Sequence, residues 1–328
     1  LLCAPVSAVT AEPAADAQAD AQTATDNSAE DAAAADDSVP EDQLLSSREQ
    51  FSVAAKAALL IDLNTNRVVY EQDADERVYP ASLTKIMTCL IALENGNLSD
   101  VVTVSESALA DLDEDSSVAG LVVGEQMTLE NLLYCMMVVS GNDACNVIAE
   151  HVAGSVTDFV RMMNQRAYEL GCTNTHFNNP HGLHDESHYT TARDLAIITQ
   201  AALKSENFRQ IVDTYEYKLP DDNMRQNIPK LKTTNMLIYQ SMSNSLYYPR
   251  AHGIKTGYTS QAGRCVISEA TGDGLDLLGI VCGAATTVLD SGDLLMENFT
   301  ECARLFDYGF DNYSYLTLMS PLYPVDQV

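Results

Sequence analysis

The sequence predicts an α/β fold in which one antiparallel sheet is formed from both ends of the ordered chain, with a helical lobe inserted between them. Three observations predict it. Two short apolar runs parted by a turn open the ordered region, apolar residues at three- and four-residue spacing fill the middle, and β patterning returns after Gly253. A crevice between sheet and lobe is then the natural place for a site.

The first element is a β-hairpin. Residues 57–63 form an apolar run, Asn64-Thr65-Asn66 a turn, and Val68-Val69-Tyr70 a second run. At Pro80-Ala81-Ser82 a helical pattern opens, carried by Ile86, Met87, Leu90, Ile91 and Leu93 and stopped at Asn95-Gly96. Helical spacing recurs over 128–139, 143–152, 156–170 and 192–203. Strands are expected at 254–259, 263–269 and 275–282, and a last helix at about 294–306.

The front of the chain is different. Residues 12–50 are mostly Ala, Asp, Gln, Ser and Thr with the single cation Arg48, and cannot bury enough apolar surface to offset the entropy of ordering. They are expected to be a disordered acidic spacer. Residues 1–11, an apolar stub followed by small side chains, read as the remnant of a signal peptide, so export is expected. A lipid-bearing Cys3 is disfavoured because Leu2 is larger than such a cleavage site accepts. No later run reaches 18 uninterrupted apolar residues, so the mature chain is expected to be soluble or peripherally associated with a membrane.

A net charge of −29 with only 18 Lys and Arg excludes a nucleic-acid binder, which needs clustered cations for the phosphate backbone. Cys89, Cys135, Cys145, Cys172, Cys265, Cys282 and Cys302 are scattered through apolar runs and read as buried small hydrophobes rather than a disulfide framework. His176, His181, His184 and His188 crowd one segment. It is a loop rich in Asn, Pro and Gly without H-E-x-x-H spacing, and neither a metal site nor a cofactor is expected.

Three short elements carry chemistry. In Ser82-Leu83-Thr84-Lys85 the i and i+3 side chains share a helix face, which lets Lys85 reach the Ser82 hydroxyl. A lysine whose pKa is lowered by burial or by nearby positive charge can remove that proton, and a helix N-terminus favours a developing oxyanion. Ser140-Gly141-Asn142 lies at a break between helical patterns, where a hydroxyl and an amide could relay a proton and hold a substrate amide. Lys255-Thr256-Gly257 lies in a predicted strand, where Lys and Thr can receive a terminal carboxylate and Gly leaves room for substrate to lie along the strand. Singly, each is an ordinary turn or strand fragment.

In this order the three elements resemble the signature of the serine penicillin-recognising enzymes. Within that superfamily the chain is most similar to the low-molecular-mass D-alanyl-D-alanine carboxypeptidases of the peptidase S11 family. The runs carrying the resemblance are Pro80-Ala81-Ser82-Leu83-Thr84-Lys85-Ile86-Met87-Thr88, Ser140-Gly141-Asn142-Asp143-Ala144, Asn179-Pro180-His181-Gly182-Leu183 and Tyr189-Thr190-Thr191-Ala192-Arg193-Asp194-Leu195, together with residues 253–263.

The resemblance implies a β-lactamase/transpeptidase-like fold, with a catalytic domain over 51–313 and residues 314–328 as a tail or the start of a second domain. It also implies roles. Ser82 is acylated, Lys85 is the general base and Ser140 passes a proton to the leaving D-alanine. Asn142 lines the cleft, Lys255 and Thr256 bind the substrate carboxylate beside Gly257, and the backbone N–H groups of Ser82 and Tyr258 form the oxyanion hole. The implied partners are peptidoglycan stem peptides ending in D-Ala-D-Ala and, as covalent inhibitors, β-lactam antibiotics. The implied location is the outer face of the cytoplasmic membrane or the cell wall.

Two positions depart from the family pattern. Tyr258 stands where His is common, and Arg264 where an uncharged residue is common. Other readings share these parts. A class A β-lactamase needs a second base, and no Glu-x-x-Leu-Asn pattern lies between Asn142 and Lys255. A D,D-endopeptidase would use the same residues, and a non-catalytic wall-binding protein would keep the fold without the reaction.

Overall fold

The computed structural model describes residues 3–5, 51–110, 112, 116–288 and 294–315. Strand β1 (Ala57–Asp62) is buried along its whole length, as expected of a central strand covered on both faces. It pairs antiparallel with β2 (Arg67–Gln72) through a turn in which Asn66 takes a positive φ of 56°. The other three strands, β3 (Ala251–Thr259), β4 (Gly263–Gly272) and β5 (Leu275–Ala284), arrive from the far end of the chain. The sheet order is β2-β1-β5-β4-β3 and every neighbouring pair is antiparallel. The sheet is therefore closed in the middle by strands from opposite ends of the sequence, and β3 is left at an edge.

The helices fill the sequence between β2 and β3. A 3-10 turn (Ala81–Thr84) leads into α1 (Lys85–Asn95), which is buried on every side from Lys85 to Ala92 and so is the central helix of the lobe. Around it stand α2 (Leu129–Val138), α3 (Asn142–Ala153), α4 (Val156–Glu169), α5 (Ala192–Ala202) and α6 (Glu206–Val212). Thr128, Ser155, Thr191 and Ser205 each accept a hydrogen bond from the backbone N–H three residues on, which caps α2, α4, α5 and α6. The closing helix α7 (Glu297–Asn312) lies against the sheet. At Gly279 of β5 an added Cβ would come within 2.9 Å of the Phe306 ring, so that strand position has no room for a side chain.

Two expectations are corrected. The last helix starts at Glu297, not 294, and runs on to Asn312, because Leu294–Met296 pair instead with Thr286–Val288. Its apolar face continues through Leu305, Phe306 and Gly309, which keeps the helix on the sheet beyond the expected end. Ser82 lies in the 3-10 turn, with α-helical geometry beginning only at Lys85. Helix α6 and a short helix at Glu106–Ala110 were not expected.

The seven cysteines from Cys89 to Cys302 are free and buried. Cys3–Pro5 pair with Tyr313–Tyr315. The rest of the expected signal remnant, the spacer over 12–50 and residues 316–328 lie outside the described residues. Among the described residues no helix is long and apolar enough to cross a membrane.

Candidate active site

Ser82 is presented by a strained turn. Ala81 takes φ +47°, a left-handed conformation that costs a residue with a Cβ on the order of 1 kcal/mol. Its neighbours hold it there. The Thr84 hydroxyl donates to the Ala81 carbonyl at 2.8 Å and meets His188 Nε2 at 2.9 Å. Gly182, at φ +92°, packs so tightly that a Cβ would stand 1.8 Å from the Ala81 oxygen. Below the turn, the Thr88 hydroxyl donates to the Pro180 carbonyl at 2.6 Å.

Lys85 is fully buried one turn after Ser82. Its Nζ is 2.9 Å from Ser82 Oγ, 2.7 Å from Asn142 Oδ1 and 2.7 Å from the His181 carbonyl oxygen. These three acceptors match the three donors of an ammonium. Burial nevertheless lowers its pKa to about 8, against the opposing pull of Asp143. Lys85 is therefore held next to the hydroxyl, close to its own titration point near neutral pH.

Ser140-Gly141-Asn142 forms the wall facing that pair. Ser140 takes φ +63° and is buried at the cavity edge, and Asn142 opens α3 with its N–H bonded to the Ser117 carbonyl. The Asp143 carboxylate accepts from the N–H groups of Ala119, Leu121 and Ala144, which ties the segment around Ser117 to the start of α3.

The third wall is edge strand β3. Lys255 is buried and donates from Nζ to the Thr256 carbonyl at 3.0 Å. Burial, and then repulsion from Lys85, hold its pKa well below the ordinary lysine range. Thr256 Oγ1 pairs with Thr234 Oγ1 at 2.6 Å. A Cβ at Gly257 would be 3.0 Å from the Ser82 nitrogen and 3.1 Å from the Pro80 oxygen, so only a glycine lets the strand pass this close to the turn that carries Ser82. Tyr258 is exposed, and the Arg264 guanidinium lies over its ring at 4.9 Å.

A cavity of about 310 Å³ is bounded by these walls, with Ser82, Ser140, Asn142, Thr256, Gly257 and Tyr258 all at its surface. All eight residues singled out from the sequence are thus gathered at one place, six on the cavity and the two lysines buried behind it. The sequence reading missed Thr234, the His181 carbonyl, Gly182 and Asp143. An Asn-Pro-His-Gly turn signal was visible for Gly182, whereas nothing local marks Thr234. The four crowded histidines go separate ways. His188 meets Thr84, His176 Nδ1 meets the Ser187 carbonyl, the His181 ring accepts from Leu183 N, and His184 packs edge-on against Tyr79.

Residues 44–286 match the family model of peptidase S11, described as D-alanyl-D-alanine carboxypeptidase. The chain is 37% identical over 281 residues to D-alanyl-D-alanine carboxypeptidase DacF of Bacillus subtilis (strain 168), covering 83% of this chain and 65% of that protein. It is 30% identical over 271 residues to the D-alanyl-D-alanine carboxypeptidase of Streptomyces sp. (strain K15), covering 79% and 88%. The crystal structure of the Streptomyces K15 DD-transpeptidase matches with a TM-score of 0.70 at 30% identity, over 80% of this chain and 98% of that one. The fold is accordingly of the transpeptidase type. The chain spans a little under two-thirds of the length of the first curated relatives it matches, at 65%, 63% and 65%.

Proposed function

The chain belongs to the peptidase S11 family of D-alanyl-D-alanine carboxypeptidases, and from that membership we propose that it removes the terminal D-alanine of peptidoglycan stem peptides through an acyl-enzyme on Ser82. The observation that carries this reading is the buried 2.9 Å contact between Lys85 Nζ and Ser82 Oγ.

In this reading the neutral fraction of Lys85 takes the Ser82 proton as Oγ attacks the carbonyl carbon of the penultimate D-alanine. The N–H groups of Ser82 and Tyr258 stabilise the oxyanion. As the C–N bond breaks, the leaving D-alanine nitrogen receives a proton from Lys85 relayed through the Ser140 hydroxyl. A water then gives its proton to Lys85, attacks the Ser82 ester, and releases the shortened stem peptide with Ser82 reprotonated. Asn142 holds both Lys85 and the substrate amide, while Thr256, backed by Lys255, binds at the carboxylate end beside Gly257.

The same reading makes residues 51–313 the catalytic domain of an exported protein acting at the outer face of the cytoplasmic membrane or in the cell wall, with β-lactams as covalent inhibitors at Ser82. The test is D-alanine release from diacetyl-Lys-D-Ala-D-Ala by the wild type and by Ser82→Ala. Release that depends on Ser82 supports the proposal. Penicillin labelling of Ser82 without release points instead to endopeptidase action or to binding alone.

A further inference from the structure

We propose that Arg264 receives the terminal carboxylate of the substrate together with the Thr256 hydroxyl, and is the side chain that selects for a free carboxylate in this cleft. The proposal rests on the carboxypeptidase reading and deepens it.

A C-terminal carboxylate approaching a chain with a net charge of −29 meets a repulsive field, so the cleft must supply local positive charge. Lys255 is poorly placed to do so at the surface. It is 1% exposed, is not part of the cavity lining, and spends its Nζ on the Thr256 carbonyl. Burial and the neighbouring Lys85 also disfavour its charged form. His181 does line the cavity, but burial drops its pKa to about 3, so its ring is neutral at physiological pH. The cavity residues Met296, Asn298 and Phe299 come from a stretch, 265–303, that contains no Lys or Arg. Among the described residues that line the cavity, Arg264 is the one permanently charged cation.

Its position suits the role. Arg264 on β4 is directly opposite Tyr258 on β3 in the strand register. Tyr258 lies two residues from Thr256, and side chains two apart share a strand face. The guanidinium carbon lies over the Tyr258 ring, 4.9 Å from its centroid, and Nε donates to Thr286 Oγ1. Among the described residues it makes no ion pair with a carboxylate, so the terminal nitrogens keep a fork that matches a carboxylate's two oxygens. The two departures from the family pattern, Tyr258 and Arg264, thus form one unit: an aromatic platform and the cation resting on it.

The experiment compares acylation by benzylpenicillin, which has a free carboxylate, with acylation by its methyl ester. It also compares D-alanine release from the tripeptide acid with amine release from its C-terminal amide. Both are run on the wild type, Arg264→Leu and Arg264→Lys. The expected result for Arg264→Leu is a fall of roughly 10- to 100-fold in kcat/KM for the acid, mostly through KM, the range for losing a charge-assisted hydrogen bond. The ester and amide reactions stay unchanged, and Arg264→Lys recovers part of the loss. An acid-to-ester preference in Arg264→Leu equal to that of the wild type overturns the proposal, as does an equal loss for both. Failure of the wild type to acylate with either compound would sink the carboxypeptidase reading itself, a different result.

Discussion

Gly257 and Ser82 touch backbone to backbone: a Cβ on Gly257 would stand 3.0 Å from the Ser82 nitrogen and 3.1 Å from Ala81 Cβ. In the proposed mechanism the amide that follows Gly257 and the amide of Ser82 are the two oxyanion donors, and their spacing depends on this close approach. Gly257→Ala pushes the strand away from the turn. Penicillin acylation is expected to slow by about 100-fold or more, in line with the loss of one oxyanion donor. Circular dichroism should show the fold retained. Acylation at the wild-type rate would remove the contact from the account.

The pH profile follows from Lys85. Its buried side chain titrates at about 8, and only the neutral amine can accept the Ser82 proton. Roughly a tenth of it is neutral at pH 7, so kcat/KM should rise about tenfold per unit below that pH and level off above about 8. A profile flat between pH 6 and 9 would contradict Lys85 as the base.

The Asp143 carboxylate carries three backbone N–H groups, two of them from the segment that begins at Ser116 and edges the cavity. Asp143→Ala strands those donors at about 1–3 kcal/mol each where they stay buried. A lower denaturation midpoint and slower acylation are expected together, because Asn142 N is tied to Ser117 O in the same segment.

These residues also show what was legible in the sequence. The hairpin, the longer lobe helices α1 to α5 and the three short motifs were readable because each depends on neighbours within a turn or a strand repeat: Lys85 reaches Ser82 through i, i+3, and Gly257 is marked by Lys255-Thr256 before it. The support was not readable. The carbonyl of His181, 96 residues from Lys85, and the Thr234 hydroxyl, 22 residues from Thr256, act through tertiary contacts that leave no periodic trace. The true start of α7 was hidden for the same reason, since Leu294–Met296 pair across to Thr286–Val288.

His188 predicts an acid-sensitive stability. The Thr84 hydroxyl donates to Ala81 O, so His188 Nε2 must donate to Thr84, while His188 Nδ1 accepts from Asn178 N. That arrangement requires the neutral ring, and burial lowers the pKa to about 4. The unfolded chain binds the proton from pH 6.5 downward and the folded one only near 4. Stability is therefore full above 6.5 and falls as pH drops towards 4, by on the order of 3 kcal/mol from this group. Urea midpoints measured from pH 7 to 4 should show the fall, and His188→Gln should make it shallower without abolishing it, because burial also holds His181 neutral over this range.

The acyl-enzyme on Ser82 is the central claim, and intact-protein mass spectrometry after brief exposure to benzylpenicillin, followed by peptide mapping, tests it most directly. The account predicts a single adduct on the peptide containing Ser82, absent in Ser82→Ala. An adduct that maps to another residue, or that persists undiminished in Ser82→Ala, would contradict it.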